Sequence, residues 1–171
     1  SGKLSFRFAM VLATISGRVD SKDISYAFGI AGSFAGRYKI KPKSELFFAL
    51  FAGRATSHFI DMFNGKNQDM AFDPSTKSFR PLNTYSGYIA FEQALPLNLS
   101  TSLSFGMATI PNKDFQMDEA YNFSYNALLN VFWAPADGAR IGLEYANGQR
   151  FDKGPFRGIA NRVSMLIYYD F

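Results

Sequence analysis

The sequence predicts an all-β fold, an antiparallel up-and-down transmembrane β-barrel, with eight strands in the single domain formed by residues 1–171. Three observations predict it. Apolar side chains recur at every second position over long stretches, which is the period of a strand and gives each segment one apolar and one mixed face. The hydrophobic fraction is 47%, yet mean hydropathy is only -0.08, and no run approaches the ~18 apolar residues that a spanning helix needs. Alternation reconciles the two, because half of each strand can face lipid while the average stays neutral. The connections also alternate in length, with short ones at 39–44, 95–98 and 134–138 and long ones at 61–83, 111–121 and 151–161. In an up-and-down topology every second connection lies on the same rim, so the long loops share one side.

The elements follow in order. Residues 4–14 set Leu4, Phe6, Phe8, Met10 and Leu12 against Ser5, Arg7, Ala9, Val11 and Ala13, and a polar turn runs from Gly17 to Asp23. Residues 24–38 oppose Tyr26, Phe28, Ile30, Phe34 and Tyr38 to a small-residue face that carries Arg37. The third strand, 45–57, has no definable register, since Phe47 and Phe48 are adjacent and so are Leu50 and Phe51. After the long loop 61–83, strands follow over 84–94 and from Leu99, where Leu103, Phe105 and Met107 oppose Ser102, Ser104 and Gly106. The sixth strand sets Tyr125, Leu129, Val131 and Trp133 against Ser124, Asn126 and Asn130. The seventh sets Ile141, Leu143 and Tyr145 against Arg140, Gly142 and Glu144. The last puts Val163, Met165, Ile167, Tyr169 and Phe171 on one face and Arg162, Ser164, Leu166, Tyr168 and Asp170 on the other.

That final stretch resembles the closing strand of bacterial outer-membrane barrels, which ends in Phe after alternate hydrophobics. Such strands are read by the barrel assembly machinery, and the resemblance implies that partner here. Ser1-Gly2-Lys3 runs straight into the alternation with no signal-peptide pattern, so the sequence reads as a processed chain or as a portion of a longer one. A closed eight-stranded barrel has a lumen just wide enough for its own inward side chains to fill. Here Ala27, Gly29, Ala31, Ser33 and Ala35, and later Ser100, Ser102, Ser104, Gly106 and Ala108, would leave voids. The inward face therefore predicts a wider barrel, of which this chain supplies about half.

From Tyr121 onward the chain resembles the C-terminal part of the DcaP-like outer-membrane porins. The matching residues are Asn130-Val131-Phe132-Trp133-Ala134-Pro135, Gly142-Leu143-Glu144-Tyr145 with Gly148 and Arg150, and Asn161-Arg162 leading to Phe171. Upstream the likeness is confined to strand order and loop length. The resemblance implies an integral protein of the bacterial outer membrane and a homotrimer of about sixteen-stranded barrels. It further implies contact with lipid and lipopolysaccharide, and the passage of small anionic solutes such as dicarboxylates.

No catalytic set is apparent, and an enzyme is not expected. The single His58 stands at the mouth of the long loop with no second His and no evident nucleophile. Residues 61–69 hold oxygen-bearing side chains at short spacing but lack the terminal Glu of a calcium loop, so a solvated loop is the better reading. With no Cys, neither a disulfide scaffold nor a thiolate metal site is available, and no cofactor is expected. Net charge is +4 and the pI near 9.3, but the basic residues are dispersed, which argues against nucleic acid. The informative set is inward charge: Arg7, Arg37, Arg140, Arg150 and Arg162, with Glu144, Asp170 and Glu92. A wall with excess Arg favours anions, because low-dielectric surroundings focus the field into the channel. The bland alternative is that Arg140, Glu144 and Arg150 pair with one another and only brace the wall. Trp133, Tyr125, Tyr145 and Tyr169 fit aromatic girdles at the membrane–water boundaries. The competing class is a closed eight-stranded outer-membrane barrel that acts in adhesion or structure through its loops.

Overall fold

The structure is a computed structural model that describes residues 3–18, 24–63 and 65–169, so Asp170, Phe171 and most of the turn at 17–23 lie outside the described residues. Among the described residues ten strands form, in chain order β1 (Leu4–Arg18), β2 (Ile24–Lys41), β3 (Ser44–Arg54), β4 (Met70–Asp73), β5 (Ser78–Pro81), β6 (Asn83–Ala94), β7 (Leu99–Thr109), β8 (Tyr121–Ala136), β9 (Ala139–Asp152) and β10 (Arg157–Tyr169). Eight of them make one antiparallel sheet in the order β1-β2-β3-β6-β7-β8-β9-β10, while β4 and β5 form a separate hairpin. The main sheet is open, since no ladder joins β1 to β10 among the described residues. No helix of the described residues is long and apolar enough to cross a membrane.

Pairing sets the faces. The ladders put Phe8 opposite Phe34, Phe34 opposite Leu50, Ile89 opposite Phe105, Leu103 opposite Leu129 and Leu143 opposite Met165. These side chains form one continuous apolar surface, because direct cross-strand neighbours share a face. It is uncovered: Val163 is 76% exposed, Phe8 74% and Ile167 71%. A patch this extensive marks a surface that meets something other than water. Phe28, Leu103, Leu129 and Leu143 are exposed on the same side. Trp133 and Tyr169 lie on it toward the short turns and Tyr125 toward the opposite rim. Tyr145 lies on it between those levels, next to Asn147 on the same strand face, and donates its hydroxyl to Asn161 Oδ1 at 2.8 Å.

Several expected boundaries are corrected. β3 ends at Arg54, and Ser57 belongs to a 3-10 turn, Ser57–Phe59. Its register is set by its neighbours: Leu46, Phe48 and Leu50 join the apolar face, and Phe47 and Phe51 the opposite one. The connection expected at 61–83 begins at residue 55 and carries structure of its own, a second 3-10 turn (Asp61–Phe63) and the β4–β5 hairpin. The loop expected at 151–161 shrinks to 153–156, because the β9–β10 ladder continues through Phe151 opposite Arg157. The turns expected at 39–44 and 134–138 narrow to two residues each, at Pro42-Lys43 and Asp137-Gly138, the latter with Gly138 at φ 76°.

Candidate functional site

The second face of the sheet carries the charge. Cross-strand partners place Arg7, Arg37, Glu92, Arg140, Glu144, Arg150 and Arg162 there, together with Lys39, Glu45 and Asp152, which the sequence reading left out. Lys39 and Asp152 fall within the connections that alternation predicts at 39–44 and 151–161, and Glu45 belongs to the strand without a definable register. On this face, bases outnumber acids among the described residues.

The ion pairs divide the arginines. Arg37 Nε donates to Glu45 Oε2 at 2.6 Å, and Lys39 Nζ lies 3.6 Å from the same carboxylate. Those cations offset a repulsive register, since Glu45 and Glu92 are direct cross-strand neighbours. Arg162 Nη2 bonds Glu144 Oε1 at 2.7 Å. Arg150 Nε bonds Asp152 Oδ1 at 2.6 Å, its Nη2 reaches the Glu119 carbonyl at 3.2 Å, and its guanidinium lies over the Tyr121 ring at 5.0 Å. Glu144 and Arg150 are thus each braced, though not by each other or by Arg140. Arg7, Arg140 and Glu92 make no ion pair among the described residues. Arg140 lines a recess of about 280 Å³ near the short turns, with Glu45, Glu92 and Phe132.

Toward the other rim, the chain that leaves β3 folds onto this same face. Gly53 and Gly29 leave it room: a Cβ on Gly53 would collide with the Thr56 hydroxyl, and one on Gly29 would stand 2.7 Å from the Ala55 carbonyl. Two backbone bonds close the base of this segment, Ala55 N–H to the Leu82 carbonyl and Leu82 N–H to the Asp69 carbonyl, both 2.9 Å. Its tip is anchored by Phe63, 1% exposed, whose ring meets Tyr121 edge-on at 4.7 Å and packs with Leu82, Ala108 and Ile110. Ser124 donates its hydroxyl to Met62 Sδ at 3.3 Å, and the same methionine crosses close over Gly106. Much of the small-residue surface that predicted an empty lumen is therefore seating for this segment.

Asp69 clamps the segment from the side, accepting from Ser57 Oγ at 3.0 Å, from the His58 N–H at 3.3 Å and lying 3.0 Å from His58 Nδ1. Ser57 is buried and bonded to the aspartate rather than to the imidazole, so the trio is a structural tie and not a nucleophile–base pair. Among the described residues no group of three or more His, Cys, Asp or Glu is placed to hold a metal ion. In the β4–β5 hairpin, the Ser75 hydroxyl donating to Asp73 Oδ1 at 2.6 Å, with help from Thr76 and the local N–H groups, holds that carboxyl at about 2.

No family model and no curated protein matches the chain. A solved structure does: the outer membrane channel DcaP of Acinetobacter baumannii superposes with a TM-score of 0.86 at 18% sequence identity, over 99% of this chain. The chain has the fold of a DcaP-like porin. It spans 48% of the length of that channel, and the match extends well upstream of Tyr121, where the sequence likeness had faded.

Proposed function

We propose that this chain is part of the wall of a porin, integral to the bacterial outer membrane, through which small anionic solutes of the dicarboxylate type diffuse. The observation that carries the reading is the opposition of the two faces. One is apolar and uncovered, as a lipid-facing surface must be, and the other is polar with cations in excess. On this reading the charged face lines the lumen and the segment 55–69 narrows it. Arg7 and Arg140 make no ion pair among the described residues, so their charge is left to act on a passing anion, in the case of Arg140 beside Glu45 and Glu92 in one recess, and low-dielectric walls concentrate the field. No catalytic step, cofactor or nucleic acid enters.

The open edges of β1 and β10, and a length about half that of the DcaP channel, support a barrel of about sixteen strands, to which these eight contribute half. A closed eight-stranded barrel would need β1 to pair with β10, and no such ladder is present among the described residues. Lipid and lipopolysaccharide would cover the apolar face. The terminal strand would engage the assembly machinery, and three copies would associate. Reversal potentials across a KCl gradient test the function: the intact natural protein in a planar bilayer should favour chloride, and a cation preference would refute the reading.

A further inference from the structure

One region of the charged face is mainly apolar, with only Ser33, Ser86, Ser104 and Asn126 as polar wall residues among its lining. Between the inserted segment and the wall lies a recess of about 640 Å³, lined on the wall side by Val11, Phe51, Tyr88 and Leu128 and on the segment side by Ile60 and Met62. Register puts those four wall residues on the charged face rather than the lipid-type face. All six are only partly covered, Tyr88 being 49% exposed, although they face one another across a gap. Apolar surfaces that flank an unfilled space forgo both dispersion contacts and release from water, and an apolar guest would supply both.

We infer that this recess holds the apolar body of a solute that also carries an anionic group, so that the channel retains amphiphilic carboxylates in preference to small hydrophilic anions. The inference rests on the proposed anion porin and names the class of solute it favours. Asp61 lines the same recess and repels a carboxylate, so the charged end points away from it. Arg7 precedes Val11 by four residues on the same face, about 13 Å along the strand. Its own long side chain and a benzoate-sized solute span that distance. Arg7 makes no ion pair among the described residues, so it is the group left to receive the carboxylate.

Benzoate and acetate have equal charge and differ in the ring, so current noise from single channels of the intact natural protein separates the recess from the general field. Benzoate should interrupt the current with an apparent Kd about tenfold below that of acetate, the effect of partly burying a ring. Val11→Ser with Leu128→Asn, neither of which anchors the segment, should shrink that ratio to about twofold and leave chloride selectivity in KCl unchanged. Benzyl alcohol should compete with benzoate in the unsubstituted protein, which tests the recess even where the variant fails to fold. Equal block by acetate and benzoate in an anion-selective channel would overturn the recess and leave the porin reading standing. A cation-selective channel blocked equally by benzyl alcohol and benzoate would overturn the anionic half and keep the apolar site.

Discussion

Two arginines on one face, Arg150 near the inserted segment and Arg140 near the short turns, have the same side chain in opposite settings. Arg150 is held by Asp152, by the Glu119 carbonyl and by the Tyr121 ring, and Tyr121 in turn carries Phe63 at the tip of the segment. Arg140 has no ion-pair partner among the described residues and borders an open recess. At one rim the charge holds the architecture together; at the other, on the proposed porin reading, it is left to act on a solute. Counting arginines on a pore wall therefore overstates the field available to a solute. Arg37, Arg150 and Arg162 are partly neutralised where they stand, while Arg7 and Arg140 make no ion pair among the described residues.

The largest effect should come from the anchored region. Phe63→Ala removes a fully buried ring from the contact with Tyr121, Leu82 and Ile110, a truncation that costs about 3–5 kcal/mol. The loss should appear as proteolytic cleavage between residues 55 and 69 and as a larger conductance. If conductance and cleavage stay at their original values, the segment does not narrow the lumen. Leu143→Arg tests the opposite face and should lower folding stability in bilayers by about 2–4 kcal/mol if the site is near the midplane. An effect under about 0.5 kcal/mol would mean that this side of β9 meets water.

Smaller effects sharpen the contrast between the arginines. Arg150→Gln should cost about 1 kcal/mol and loosen the connection around Glu119, read by amide exchange, because it breaks exposed contacts with modest individual worth. Arg140→Gln should change stability by less than ~0.5 kcal/mol. Asp73 supplies the smallest effect. Its carboxyl is depressed from 3.8 to about 2, so its contribution to the hairpin is present above the higher value and lost as pH falls through the lower one. Amide protection over residues 70–81 should persist at about pH 4 and weaken toward about pH 2. Loss of that protection already near pH 5 would mean that the Ser75–Asp73 bond is not what holds the turn.

The strands were legible because alternation depends on immediate neighbours: Leu143 and Glu144 must point to opposite faces whatever the rest of the chain does. From that the arginine positions followed. Legibility failed where a face changed character. Phe47 and Phe51 obscured β3 because its charged-side positions are themselves apolar, Phe51 bordering the recess and Phe47 lying under Arg37 at 5.6 Å. The β9–β10 ladder outlasted its expected end because Asn147, Gln149 and Asn161 occupy apolar-side positions, so hydrophobic alternation stops before the hydrogen bonding does. The inserted segment left no local signal, since its seat is assembled from Gly29, Gly53 and Gly106 on three separate strands. Pairing of charges was equally hidden. Glu144 could reach Arg140, Arg150 or Arg162 by sequence, and only the ladder selects Arg162.

The central claim, that unpaired arginines set selectivity while paired ones hold the wall, is tested most directly by comparing two double variants in one experiment. Arg7→Gln with Arg140→Gln removes two charges that make no ion pair among the described residues; Arg150→Gln with Arg162→Gln removes two that are paired. Reversal potentials should be measured in the intact natural protein at low ionic strength, where the Debye length grows from about 8 Å at 0.15 M salt to about 30 Å at 0.01 M. The first variant should move decisively toward cation selectivity with conductance retained, and the second should move less than half as far. Equal shifts, or a larger shift in the second, would contradict the account.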